Sequence, residues 1–181
     1  KAEPGTLRLN LVERASPWAA QQALGGRHRY MPASEGWLYL AAVTGAFSRK
    51  VVSWSMSERI TGKVAIRDGQ AGWQGGPPDD GGLVFHDDQG ARHASRSFRQ
   101  CLGSHGMVRS VSRPGTPLGN AVAESFFKTL KRESAEGRGV WDEGEAEQDI
   151  FKHIELYCSN RVRMHSTLGY MSPVEYERQY A

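Results

Sequence analysis

Residues 37–44, WLYLAAVT, form an unbroken apolar run with aromatic and β-branched members, the pattern of a buried strand. GAFSRK (45–50) then turns the chain, and VVSWSMS (51–57) alternates, so 37–57 is predicted as a β-hairpin. LVFHD (83–87) and MVRSVS (107–112) are short strand candidates. Between them, Phe98, Cys101 and Leu102 recur at helical spacing over 95–105, with Gly106 placed as a C-cap. GTPLGN (115–120) leads into a helix that places Val122, Phe126, Phe127 and Leu130 on one side, and Glu124, Lys128, Lys131 and Arg132 on another. A second long helix is predicted over 143–161, with Ile150, Ile154, Leu156 and Tyr157 as its apolar face. Residues 62–74 are a weak helix candidate interrupted by three glycines, and GGPPDDGG (75–82) is a loop by composition. Nothing repeats internally. Strands first, then alternating strand and helix, predict an α/β domain with a mixed sheet.

Composition narrows the class. A chain of 181 residues has room for one domain with a real core. Its hydrophobic content of 39% and mean hydropathy of −0.55 come with no apolar run near the roughly 20 residues a membrane span needs. The first residues, KAEPGTLRLNLVERAS, lack the apolar stretch of a signal peptide and begin without Met, as a fragment of a longer chain is expected to. Cys101 and Cys158 stand apart with no CxxC spacing, which predicts a reducing, cytoplasmic setting and no disulfide framework. A formal charge of +3 permits a polyanionic partner without demanding one. The cations of KTLKRE and NRVRMH, both in the C-terminal half, say more than the total.

Two carboxylates invite chemistry. Glu124 has a plain role open to it, as the acidic half of an i,i+4 pair with Lys128. Asp88 follows a predicted strand directly; there it is either a turn or cap residue, or an active group at the C-terminal edge of an open α/β sheet. Asp87 and Asp88 side by side also suit a hard cation such as Mg²⁺. His86 and His93 flank them, but zinc wants a Cys or His pair at ligand spacing, which is missing. Ser125 has no sequence argument as a nucleophile, and Trp37, Trp54 and Trp73 read as core residues ahead of base-stacking platforms.

Longer motifs then carry a resemblance. VFHDDQGARHASRSFRQ, GNAVAESFFKTLKRE and NRVRMHSTLGYMSPVEYE resemble, in order, the signatures of bacterial insertion-sequence transposases with an integrase-type catalytic core; EGWLYLAAV and FSRKVVSWSMSER resemble that family's first sheet segments. The likeness runs from Pro32 to Tyr176. Thirty-five residues lie between Asp88 and Glu124, the interval that separates the last two members of the family's Asp-Asp-Glu triad. The resemblance implies a ribonuclease H-like mixed sheet flanked by helices, with a C-terminal helical extension. It implies residues 1–31 as an N-terminal segment with a degenerate first strand, and 32–181 as the core. It further implies DNA cleavage and strand transfer with Mg²⁺ or Mn²⁺ held by Asp88 and Glu124, the two carboxylates lying close enough to share a cation, and a homo-oligomer assembled on element ends and target DNA. Lys128, Lys131 and Arg132 on the face of Glu124, with Arg161, Arg163 and His165 in the tail, become the DNA contacts, acting on phosphates without sequence readout. The upstream helix-turn-helix reader usual in such transposases is not among these residues.

One carboxylate is missing. The family carries its first Asp in a segment resembling WVADITYMP, and anchoring on Tyr30 and Pro32 puts that position at Arg27. No acidic residue stands between Glu13 and Glu35. Ala19–His28, AAQQALGGRH, has a codon assignment that read one nucleotide later gives PPNKLWVAD, aspartate included, as a compensated pair of frameshifts would produce. Gly45 and Gly119 also stand where relatives have Asp. A strand with two glycines and two arginines is predicted to be shortened, distorted or displaced, with Tyr30 and Met31 keeping the inward contacts. Two functions remain: a DNA-cutting and joining core impaired at Arg27, or a non-catalytic DNA-binding or assembly module on the same fold.

Overall fold

The computed structural model describes residues 23–34, 36–58, 83–87, 96–111, 121–135, 143–157 and 161–180. The weak helix candidate at 62–74, the 75–82 loop, Asp88, His93, Trp73, Gly119 and Cys158 lie outside them. Five strands make one sheet in the order β3-β2-β1-β4-β5. They are β1 Ala23–Ala33, β2 Gly36–Gly45, β3 Val51–Ser57, β4 Val84–Asp87 and β5 Val108–Val111. The β1/β2 and β2/β3 pairs are antiparallel, whereas β1/β4 and β4/β5 are parallel, so the sheet is mixed as predicted.

Leu38 through Thr44 are buried without interruption, which is why that segment reads as a continuous apolar run. The pleat sends Leu38, Leu40 and Ala42 to one core, shared with Met31, Phe127, Leu130, Ile150 and Ile154. Val43 faces the opposite core, with Leu24, Phe85, Phe98, Leu102 and Met107. The helices follow from this division: α1 (Arg96–Ser104) supplies Phe98 and Leu102 to the second core, while α2 (Ala121–Ala135) and α3 (Glu143–Phe151) cover the first. Gly106 beyond α1 has φ of +67°, the left-handed conformation expected of a helix-ending glycine. A π-helical segment, Lys152–Tyr157, continues α3, and the described part of the second long helix runs to Tyr157. Its Ile150 and Ile154 are fully buried.

The tail ends in α4 (Pro173–Tyr180), opened by a capping box. The Ser172 N–H and hydroxyl both donate to Glu175 Oε2, at 2.9 and 2.7 Å, and the Glu175 N–H returns a bond to Ser172 Oγ at 3.3 Å. Those bonds hold the Glu175 carboxyl below the usual carboxylate range. Glu177 then accepts from Ser48 Oγ and Lys50 Nζ, each at 2.8 Å, and Phe47 packs on Tyr176, so the extension is tied to the β2–β3 turn.

β1 corrects the expectation drawn from its composition. It is an 11-residue strand, paired with β2 from Leu24 to Ala33 and with β4 from Ala23 to Gly25, neither shortened nor displaced. The ladder is made by backbone groups, and the side chains that looked unfavourable each find a local solution. A Cβ on Gly26 would sit 2.4 Å from Cζ of the buried Phe85 ring, so glycine at that position makes room for the core. Arg27 pairs in register with the small Ala42 and stays partly exposed. Met31 is buried as expected, but Tyr30 is 52% exposed, because the pleat puts it beside His28 and Tyr39 on the other face.

Candidate catalytic edge of the sheet

Glu124 lies in the first turn of α2, where the helix dipole favours a carboxylate. Ala123, Phe127 and Leu130 anchor the helix in the core, which leaves Glu124 facing β1. Its partner there is Arg27: the guanidinium Nη1 donates to Glu124 Oε1 at 2.5 Å, joining residues 97 apart in the chain. The i,i+4 pair with Lys128 is therefore not the contact Glu124 makes. Arg27, at the position of the missing aspartate, reaches the very carboxylate that aspartate was expected to accompany. The two side chains are 30% and 42% exposed, so the pair is half in water.

Asp87, just before Asp88, is committed elsewhere. It is fully buried, and Arg109 of β5 holds it with two bonds, Nε to Oδ2 at 2.7 Å and Nη2 to Oδ1 at 3.0 Å. A carboxylate in that setting needs the charge-assisted fork to be tolerated at all. It corrects the idea that Asp87 and Asp88 together receive a cation. His86 is buried, with Nδ1 2.9 Å from Ser110 Oγ of the neighbouring strand.

Of the two carboxylates implied to hold a divalent metal, Glu124 lies among the described residues and Asp88 outside them. No group of three or more His, Cys, Asp or Glu side chains converges among the described residues. One oxygen of Glu124 is already engaged by a permanent cation, which repels a metal ion at the same oxygen.

The predicted cations divide into two groups. Lys128, Lys131 and Arg132 are exposed along α2, and Arg132 lies 3.5 Å from Glu133. Arg161 is exposed in the tail. Arg163 and His165 are partly buried instead: Arg163 Nη1 donates to Glu133 Oε1 at 2.6 Å, and the His165 backbone bridges to Met171. They gather on the side of α2 that carries Val122, Ser125, Phe126 and Thr129, beside Arg49 and His153. Arg49 and His153 had no signal in the local pattern, since one is in a hairpin turn and the other in a helix read only for its apolar face. Trp37, expected in the core, is 64% exposed and meets Tyr30 edge-on, whereas Trp54 packs against the first core.

Two family models, each described as an integrase core domain, match residues 28–117 and 105–173. The transposase for insertion sequence element IS904 of Lactococcus lactis subsp. lactis (strain IL1403) is 43% identical over 153 residues, 84% of this chain and 60% of that protein. Transposase InsF for insertion sequence IS3fB of Escherichia coli (strain K12) is 36% identical over 160 residues, 87% of this chain and 54% of that protein. The chain thus spans a little over half the length of these curated relatives. Among solved structures, the Mos1 transposase catalytic domain with raltegravir and Mn matches with a TM-score of 0.64, covering 82% of this chain and 76% of that one. At 11% identity, that likeness concerns the ribonuclease H-like fold alone.

Proposed function

The chain belongs to the integrase core domain family of insertion-sequence transposases, and from that membership we propose that it is a DNA-handling transposase core whose catalytic edge is closed by Arg27. The observation that carries this is the ion pair from Arg27 to Glu124. In the family's arrangement, Asp88 and Glu124 are the second and third carboxylates, and Arg27 takes the place of the first. Two-metal phosphoryl transfer requires ions held on both sides of the scissile phosphate, and losing one member of such a unit removes most of its rate. With a guanidinium seated on Glu124, this chain binds DNA but does not cut or join it.

Binding survives because its residues are elsewhere. Lys128, Lys131 and Arg132 project from α2 into solvent, and Arg161 from the tail, where they neutralise backbone phosphates. Such contacts are indifferent to sequence, and affinity falls steeply with salt. The partners proposed are the element ends and target DNA, with more than one protomer assembled on them. The non-catalytic module is thus favoured over the active enzyme for the chain as it stands, by the same ion pair.

The test is a strand-transfer assay on donor-end DNA in Mg²⁺ or Mn²⁺. The chain is compared with a version carrying the in-frame WVADIT segment, both fused to a helix-turn-helix reader. Joined product from the restored version only is the expected result. Robust joining by the chain as written defeats the proposal.

A further inference from the structure

On the side of α2 away from Glu124, a cavity of about 240 Å³ opens between the helix, the β2–β3 turn, the π-helical segment and the tail. At the ~30 Å³ share of one liquid water, that is space for roughly eight waters, enough for a phosphate group with part of its hydration or its ester. Its polar lining is dominated by donors. Arg49 and Arg163 bring guanidinium groups, His153 and His165 bring imidazoles, and Ser125 and Thr129 bring hydroxyls.

We propose that this cavity is a phosphate-binding site in which Arg49, His153, Arg163 and His165 surround the anion. Three observations carry it. First, the Arg49 guanidinium is half-buried and has no acidic partner among the described residues, although a desolvated cation needs a counter-charge. Its backbone is held at φ of +61°, an uncommon conformation for arginine that persists only where the surroundings impose it. Second, His153 Nε2 and His165 Nε2 are shut off from solvent and make no hydrogen bond; the Glu133 carboxylate, 3.8 Å from His153 Nε2, is beyond hydrogen-bonding reach. Buried polar nitrogens without partners are rare and call for one. Third, the nearby carboxylate of Glu133 is already shared by Arg163 at 2.6 Å, Arg132 at 3.5 Å and His153 at 3.8 Å, which leaves Arg49 over.

The histidines suit an anion that arrives later. Burial lowers the pKa of both; Glu133 raises and Arg163 lowers that of His153, while Arg49 and Arg163 lower that of His165. The helix wall adds only the hydroxyls of Ser125 and Thr129. Both imidazoles are therefore held neutral until a phosphate supplies the charge that lets them protonate and donate. Val122, Phe126 and Met164 leave part of the wall apolar, which suits the sugar of a nucleic-acid strand as well as a free anion's open side. The site rests on its own donor set and does not require the DNA-binding proposal.

The experiment follows the His153 and His165 side-chain resonances by NMR, with His153→Gln and His165→Gln for assignment. The probes are inorganic phosphate and, separately, a duplex of random-sequence DNA. Saturable shifts of both histidines towards the charged form, weakened at least about tenfold in Arg49→Gly, are expected. Glycine removes the guanidinium and accepts the positive φ, so the variant keeps its fold; Arg163→Gln serves as an independent second variant. If DNA produces the shifts and competes with phosphate, the occupant is a backbone phosphate; if inorganic phosphate alone does, it is a free anion. Histidines unmoved by both probes, or binding unchanged in both arginine variants, overturn the proposal.

Discussion

Replacing Arg27 by aspartate should turn the ion pair into a repulsion that a divalent cation relieves. Losing a pair with side chains 30% and 42% exposed costs about 0.2–1 kcal/mol, the range for partly solvated pairs. A carboxylate about 6 Å from Glu124 adds roughly 0.7 kcal/mol of repulsion at the dielectric of water and about 3 kcal/mol at an effective value of 20. Arg27→Asp is thus expected to be about 1–4 kcal/mol less stable than the parent without metal, a fall in Tm of about 2–16 °C for a chain of this size. Mn²⁺ at a hundred times its dissociation constant then returns about 2.7 kcal/mol, while Arg27→Asn, with no added charge, responds little. Differential scanning calorimetry of the three proteins, with EDTA and with Mn²⁺, reads this directly. A parent as responsive to Mn²⁺ as Arg27→Asp would refute the claim that the guanidinium occupies the metal's place. So would an Asp variant blind to the ion.

Other expectations follow from single contacts. Arg109→Leu leaves the fully buried Asp87 without its fork and should cost about 3 kcal/mol or more, with much of the loss recovered when Asp87→Leu is added; urea titrations of both variants decide it. Gly26→Ala drives a methyl into the Phe85 ring and should cost about 1–3 kcal/mol, less in a Phe85→Leu background. His153 and His165 have folded pKa values below their unfolded ones, so the unfolded chain binds protons first as pH falls. Stability should then drop from about pH 7 downwards until the folded pKa is passed, and His153→Gln with His165→Gln should flatten that slope in denaturant titrations across pH.

The elements readable in the sequence are those whose pattern is local. The run from Leu38 to Thr44 and the alternation of Val51–Ser57 state their own burial, and Phe98 with Leu102 states that of α1. The first strand was misjudged because its residues were priced singly. Gly26 looks like a weakness until Phe85, far along the chain, is seen to need the space. Arg27 looks like an unpaired charge until α2 brings Glu124 to it. Tyr30 was expected inward together with Met31, but the period of two puts these neighbours on opposite faces. The candidate edge was half legible: motif and spacing point to Glu124 and to the vacancy at Arg27, yet no local rule connects the two. The second cluster was less so, since Arg49, His153 and Arg163 come from three unrelated segments.

The Arg27–Glu124 contact is one that the fold accepts readily. A carboxylate at the start of a helix and beside a sheet asks for a positive partner, and either a metal ion or a guanidinium answers. The guanidinium answers the folding requirement: it neutralises charge and donates to the carboxylate oxygen. It offers no open coordination position and cannot bring an oxygen nucleophile and a phosphate together. The backbone ladder of β1 is indifferent to the exchange, because ten consecutive residues pair with β2 whatever their side chains. On the proposed reading, exchanging the aspartate for Arg27 costs the fold little, since the guanidinium replaces the charge a bound divalent ion would have supplied, and its effect falls on strand transfer.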